Sequence, residues 1–441
     1  MDAKQQPLDR TSADALNAEG LRLGLVDGAN RDELAAWDEA DYRGFHDRRP
    51  EPETIAEHVQ YTAHRRIVGV WDDGIPEPAV PVATVSTWVG DLTVPGGSTL
   101  DSWAVSSVTV APTHRRRGIA RALLEGELRT AASAGVPIAS LTVSEATIYE
   151  RYGFGPATQT ADLVIDTKRA GWAAASGAGA TAGERAGRLA FVSLQAVVDT
   201  CRGVFDRARL ATPGELAADD FVWGRLAGVL GDRDKKSASL RAVRYDDADG
   251  TPQGFVVYSL KSDPADFSKH TADIRYLRAA TDEAYAALWR FLLELDLVTT
   301  VKNEVATADE PVLWMIRDQR AATVVLRDHH WLRILDVPAA LQARTYGRPG
   351  WLTVRVEDRL GFAAGTYRID VRADGSADVE KTDVAPDLTM DVATLSALYL
   401  GAWRTSALAH AGRIAELTPG SVARFDAAFR SAEAPTLSFW Y

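Results

Sequence analysis

The sequence predicts an α+β protein of three successive domains with mixed sheets, and three observations carry that expectation. At 441 residues the chain exceeds a single core, since domains run to roughly 100–200 residues. Apolar residues alternate in short runs and then switch to helical spacing, and this change recurs along the chain. Between the first two such stretches lies Ala173-Ala-Ala-Ser-Gly-Ala-Gly-Ala-Thr-Ala-Gly183, too poor in large apolar groups to pack, which reads as an exposed loop just inside a second domain.

Residues 1–20 are polar and lack apolar periodicity, which predicts a flexible N-terminal tail ahead of a first domain over 21–161. Strands are expected at Arg66–Trp71 and Val80–Trp88, then a Pro-Gly-Gly turn at 95–97 and a strand ending at Val110. Ala120, Leu123, Leu124, Glu127, Leu128 and Ala131 repeat at helical spacing until Gly135 and Pro137 stop the run. Ile138–Val143 reads as a buried strand. Ser144 has the chemistry of an N-cap with Glu145 in the first turn, so a short helix over Glu145–Tyr152 is expected to set Tyr149 at the mouth of the sheet. A second domain over 162–326 repeats the order, with strands at Leu240–Tyr245, Gly254–Leu260 and Ala272–Leu277 and a helix at Asp282–Leu295. The third, over 327–441, has strands at Leu352–Val356, Gly365–Val371 and Ala377–Lys381, then helices at Asp391–Leu400 and near Ala423–Phe429.

Composition removes several function classes. A net charge of −12 argues against nucleic acid and against a polybasic membrane-surface protein, while favouring encounters with polycations. The single cysteine, Cys201, excludes an intramolecular disulfide framework and a multi-cysteine metal site, and it reads as buried and inert. No window reaches the ~18 apolar residues of a membrane span, and Met1–Asp14 lacks the apolar core of a signal peptide, so the expected compartment is the cytoplasm.

The most informative stretch is Val108-Thr-Val-Ala-Pro-Thr-His-Arg-Arg-Arg-Gly-Ile-Ala120. It runs from a β-branched strand into a helix start that carries Arg115-x-x-Gly118-x-Ala120. Small residues there let a ligand approach the backbone, and the first N–H groups of a helix lack internal partners, so the turn suits a pyrophosphate. The bland alternative is a solvated basic turn. About thirty residues on stands Ile148-Tyr-Glu-Arg-Tyr-Gly-Phe154. Together the two segments resemble the acyl-CoA-binding landmarks of the GNAT acyltransferase superfamily. The junction at the matching place in the second domain, Tyr276-Leu-Arg-Ala-Ala-Thr-Asp282, has no glycine and no Arg-x-x-Gly-x-Ala, so that domain is expected to lack cofactor.

Trp331-Leu-Arg-Ile-Leu-Asp-Val-Pro-Ala-Ala-Leu-Gln-Ala-Arg344 and the run from Pro386-Asp-Leu to Leu398-Tyr-Leu-Gly401 resemble a sterol-carrier-protein-like domain. With Ser144-Glu145, Tyr152-Gly-Phe-Gly-Pro-Ala-Thr158 and an aromatic last residue, nearly the whole chain resembles the Eis (enhanced intracellular survival) family: tandem GNAT-like domains followed by a sterol-carrier-protein-like α/β domain. The resemblance implies acetyl-CoA as co-substrate, contacted at Val108, Thr109, Val110, Arg116, Arg117, Gly118, Ile119, Ala120, Arg121, Ser144 and Glu145. It makes Tyr149 the general acid, where spacing alone reads equally as an aromatic packed at a helix–sheet junction. It also makes the α-carboxylate of Tyr441 the base, and Phe439-Trp-Tyr441 is unusually apolar for a solvated end. A homo-hexamer and a small cationic amine substrate, such as an aminoglycoside, complete what it implies. Trp440 and Ser107 depart from relatives that place an acidic residue and an aromatic at these positions, so the acceptor changes most readily.

Three functions are therefore carried forward. One is an acetyl-CoA-dependent N-acetyltransferase on cationic amines. Another is an acyltransferase on a lysine side chain, peptide or biosynthetic amine, and the last is an apolar-ligand carrier with a degenerate acyltransferase domain. His114 reads as a solvated or structural histidine. His329-His330 reads as an interdomain turn, since adjacent positions rarely aim two rings at one ion, and no metal is expected.

Overall fold

A computed structural model describes residues 1–49, 51–62, 64–173, 187–230 and 239–441, so all but the first residue of the Ala173–Gly183 segment lies outside the described residues. By contact the chain divides into two units. One holds Met1–Thr158, His330–Ala432 and Tyr441; the other holds Gln159–His329 and Glu433–Trp440.

In the first unit, β1 (Arg22–Leu25), β2 (Arg66–Trp71), β3 (Ala83–Thr93) and β4 (Thr99–Val110) run antiparallel, and β5 (Ile138–Thr142) lies parallel to β4. The strand His330–Ile334 pairs between β5 and β6 (Gly155–Pro156), and completes a seven-stranded sheet. A boundary at 327 therefore cuts through the first sheet. All five residues of that strand are buried, and both its edges are paired. Helices α1 (Arg10–Ala18), α2 (Arg31–Gly44), α3 (Pro52–Thr62), α4 (Ile119–Ser133) and α5 (Ala146–Tyr149) surround the sheet. Leu123, Leu124, Leu128 and Ala131 of α4 share one core with Trp103, Val105 and Leu141, as their spacing predicts. Glu127 is the polar exception on that face. It accepts hydrogen bonds from Arg66 Nε (3.2 Å), Thr87 Oγ1 (2.9 Å) and Trp103 Nε1 (3.3 Å), which offset the cost of burying a carboxylate.

The expected N-terminal tail is instead ordered. Asp9 caps α1 by accepting from Ser12 N at 2.8 Å and pairs with Arg129 of α4 at 2.8 Å. Ser12 Oγ donates to Ala122 O at 2.6 Å, and Arg66 donates to the carbonyls of Gln6 and Pro7. Leu16 is the one large apolar side chain that α1 buries, so polar contacts invisible to periodicity hold this segment.

The last region adds a five-stranded sheet in the order Ala377–Lys381, Gly365–Val371, Gly350–Glu357, Leu388–Asp391, Ile414–Glu416. Arg333 ties it to the first sheet, pairing in buried, bidentate fashion with Asp358 at 2.8 Å while its Nε donates to Tyr152 O at 2.8 Å. Gly155 meets the helix Val392–Leu398 so closely that a Cβ there would lie 1.9 Å from Ala393 O.

The second unit is a seven-stranded mixed sheet packed through Leu288, Trp289 and Leu292 of the helix Asp282–Leu293, and it repeats the element order of the first. The fold class is the one the sequence predicts.

Candidate active site

The site begins where two strands part. β4 and β5 pair only over Ser102–Ala104 with Ile138–Ser140, so beyond Ala104 the two edges diverge. A bulge then re-aims β4: its register with β3 shifts between Thr84 and Ser86, and Ser107 takes a positive φ of 55°. Thr84 Oγ1 holds the bulge by donating to Ser107 O at 2.8 Å. Beyond it, Ala111 N donates to Val82 O at 2.8 Å, and Val110 faces Ala83. Antiparallel bonding alternates between such pairs, so the Val110 N–H turns away from β3 toward the gap beside β5. Val108 and Val110 also pack against the core, and their packing role coexists with this exposed backbone edge.

The arginine turn follows directly. Arg116 and Gly118 both have left-handed backbones, φ 66° and 77°, and Gly118 caps α4 without any side-chain hydrogen bond. Nothing lies within 4 Å of where a Gly118 Cβ would stand, and no N-cap side chain accepts from the first N–H groups of α4. Arg115 and Arg116 are exposed. Arg117 is engaged within the protein, 3.4 Å from Asp72 and donating to Glu19 O at 2.7 Å, while Arg121 pairs with Glu125 at 2.8 Å. Of the two readings of His114, solvated or structural, the second holds: it is buried, and its Nε2 lies 3.1 Å from the same Asp72 carboxylate, held low by Gly74 N–H and the His114 bond.

Ser144 does not cap the short helix. Glu145 takes the N-cap position without a side-chain bond, α5 spans Ala146–Tyr149, and a single 3₁₀ turn completes it to Tyr152. Both Ser144 and Glu145 are exposed at the end of β5. Tyr149 is buried in the α4-side core, its ring edge-on to Phe154 at 6.2 Å. Burial first, and the Glu145 charge second, push its phenol up to about 12.

Tyr441 reaches the same strand from the other face. Residues 140 and 142 alternate with the core residues Leu141 and Val143, so their hydroxyls share the face away from α4. Thr142 Oγ1 donates to the terminal Tyr441 O at 2.9 Å. The Tyr441 hydroxyl donates to Ser140 Oγ at 2.9 Å and lies 3.0 Å from His330 Nε2, while Ser102 Oγ donates to Ser140 at 2.8 Å. The ring stands edge-on to Trp88 at 5.2 Å, and Arg65 stacks on Trp88 at 3.9 Å. Burial raises this phenol strongly, against the Ser140 hydrogen bond. Sequence reasoning missed Trp88, Ser102, Ser140, Thr142 and His330 as site residues. The available signal was the pair of hydroxyls alternating through an otherwise apolar Ile138–Val143. The histidine pair falls at the junction of the two units, as expected, but not in a turn: both residues are buried, and His330 begins a strand. Among the described residues no group of three His, Cys, Asp or Glu is placed to hold a metal, and no helix is long and apolar enough to cross a membrane.

Comparison with known proteins bears on this geometry. Models of the acetyltransferase (GNAT) domain match residues 26–157 and 214–334, and a sterol carrier protein domain model matches 337–438. The N-acetyltransferase Eis of Mycobacterium tuberculosis is 35% identical over 352 residues, 77% of this chain and 81% of that protein. The chain belongs to the Eis family of GNAT N-acetyltransferases. An uncharacterized N-acetyltransferase of Streptomyces avermitilis is 35% identical over 91% of this chain and 95% of its own length. The crystal structure of Eis1 from Mycobacterium abscessus superposes with a TM-score of 0.79 at 30% identity, covering 95% of this chain and all of that one. As a member of the Eis family the chain is an acyltransferase, and its GNAT domains are of the acetyl-CoA-using type.

Proposed function

We propose that the chain transfers the acetyl group of acetyl-CoA to small cationic primary amines, aminoglycosides among them, by direct attack of the amine on the thioester. The observation that carries the proposal is the anchoring of the Tyr441 terminus on Thr142, where β5 parts from β4, with Tyr149 buried on the opposite face. The open edge Val108–Val110 pairs with the pantetheine arm as an added strand would. The pyrophosphate rests on the uncapped start of α4, on Gly118, Ile119, Ala120 and Arg121, with Arg116 and Arg117 adding charge and Ser144 and Glu145 lining the far side.

The Tyr441 carboxylate accepts a proton from the ammonium, and the freed nitrogen attacks the carbonyl carbon. Val110 N–H donates to the oxygen as it gains negative charge. When the C–S bond breaks, Tyr149 gives its phenolic proton to the thiolate; the second proton, lost from the acylated nitrogen as the neutral amide forms, passes to solvent, and solvent returns a proton to the phenol. A phenol pushed up to about 12 is a weak acid, so transfer follows bond cleavage and is not concerted with attack. The net charge of −12 favours encounter with cations. The carrier reading keeps one observation, a cavity of about 320 Å³ in the last region lined by Leu352, Ile369, Val371 and Phe429. Mass spectrometry of an amine panel incubated with acetyl-CoA and propionyl-CoA tests the proposal. Acetylation of aminoglycosides and polyamines supports it. Acetylation confined to peptides or acidic amines overturns the acceptor class.

A further inference from the structure

The second unit repeats the splay of the first, and its gap is already filled. The strands His270–Ala279 and Val298–Ala306 pair in parallel from His270–Ile274 to Val298–Asn303 and then separate. The helix that follows, Asp282–Leu293, is closed by its own cap: Thr281 Oγ1 accepts from Ala284 N at 3.3 Å, where α4 has only Gly118. Residues Thr436–Phe439 lie against this splay. Ser438 is the fixed point, with its Oγ and N both donating to Glu215 Oε2, at 3.1 and 3.3 Å, and its Oγ lying 3.0 Å from the Tyr276 hydroxyl. Thr436 N donates to Pro213 O at 2.8 Å, and His329 Nε2–H donates to Phe439 O at 3.1 Å. Glu215 is fully buried and pairs with Arg278 at 2.5 Å. The space left beside Ser438 is about 90 Å³, well below the roughly 300–1,000 Å³ of ligand pockets.

We infer that the splay of the second unit is a socket for the C-terminal segment, in which Glu215 and Ser438 are positioning residues that hold the terminal carboxylate of Tyr441 in register. The inference rests on the proposed role of that carboxylate as base. Buried carboxylates are costly, and Glu215 offsets that cost with one guanidinium, one hydroxyl and one backbone N–H, two of which come from Ser438. An arrangement of that kind has one geometry, and Tyr441 is three residues beyond it. Extended chain spans roughly 3.3–3.6 Å per residue, so a slip of one residue at Ser438 carries the carboxylate out of reach of a bound amine. The same filling removes the second unit as a site for acyl-CoA.

The test uses the full chain with its natural end, as native protein, Ser438→Ala, Glu215→Gln and a chain lacking Tyr441. Release of Tyr441 by carboxypeptidase A, well below the melting temperature, reports local detachment without requiring activity. Steady-state rates report kcat and the KM for acetyl-CoA separately. Ser438→Ala is expected to release Tyr441 about tenfold faster and to lower kcat about tenfold, leaving the KM for acetyl-CoA within about twofold, because two buried hydrogen bonds are lost. Glu215→Gln goes further in the same direction; if it does not fold, Ser438→Ala decides. Unchanged release in Ser438→Ala overturns the socket. Faster release with kcat unchanged overturns the positioning role. A truncated chain as active as the native one shows instead that the terminus is not the base, a failure of the reading beneath the inference.

Discussion

Removing the last residue is the sharpest test of the proposed base, because the group concerned belongs to the main chain and no side-chain substitution deletes it. Without Tyr441 the new terminus is Trp440, one residue back, a retreat of roughly 3.3–3.6 Å if the segment is extended. The 2.9 Å contact from Thr142 Oγ1 to the terminal oxygen then opens to twice hydrogen-bond range. The ring leaves Trp88, and Ser140 and His330 lose the hydroxyl between them. Loss of a positioned base costs ~10²–10⁴-fold in kcat. Tyr441→Phe separates the carboxylate from the phenol. It keeps the Thr142 bond and the ring contact but strands buried polar partners, at ~1–3 kcal/mol of stability and a kcat loss of less than about tenfold. A C-terminal tag converts the acid to an amide and behaves like the deletion, whereas an N-terminal tag does not. Initial rates at saturating acetyl-CoA, with an amine the native chain accepts, compare the five proteins: native, truncated, Tyr441→Phe, C-terminally tagged and N-terminally tagged. Full activity in the truncated or C-terminally extended chain refutes the reasoning.

Tyr149→Phe keeps the ring on Phe154 and loses turnover, with the acetyl-CoA KM little changed; equal kcat in both proteins means water protonates the thiolate. With its phenol pushed up to about 12, Tyr149 stays protonated through pH 10, so the native enzyme shows no alkaline loss assignable to it; a limb near pH 10 that vanishes in Tyr149→Phe contradicts this. Gly118→Val forces a β-branched residue to φ 77°, costing ~1–2 kcal/mol of backbone strain, and raises the acetyl-CoA KM. Calorimetry returns one acyl-CoA per chain, and two means that the second unit also binds. His329 is held down to about 4 by burial, from 6.5, so the unfolded chain takes up its proton first as pH falls. Stability present above pH 6.5 is lost toward pH 4, by about 3 kcal/mol at one pKa unit per 1.36 kcal/mol. Urea titrations between pH 7 and 4 measure the loss, and His329→Gln flattens it; identical slopes in both proteins remove His329 as the cause.

By itself the sequence determined the elements whose signals are local. The spacing of Leu123, Leu124 and Leu128 specifies the buried face of α4, and Arg115-x-x-Gly118 specifies a left-handed turn at a helix start, since both depend on residues within a few positions of one another. The family followed from the same short segments. Tertiary structure alone decided what distant residues do together. The N-terminal segment is held by Arg66 at Gln6 and Pro7 and by Arg129 at the α1 cap Asp9, which no periodicity in residues 1–20 reveals. His330–Ile334 enters the first sheet although it follows Gln159–His329 of the second unit in sequence, and there both its edges are paired. Ser140, Thr142 and His330 become site residues through a Tyr441 that is 299 positions beyond Thr142. A hydroxyl on a strand has no meaning until its partner arrives, and a hydrogen bond across that distance in sequence leaves no period, run or spacing to read.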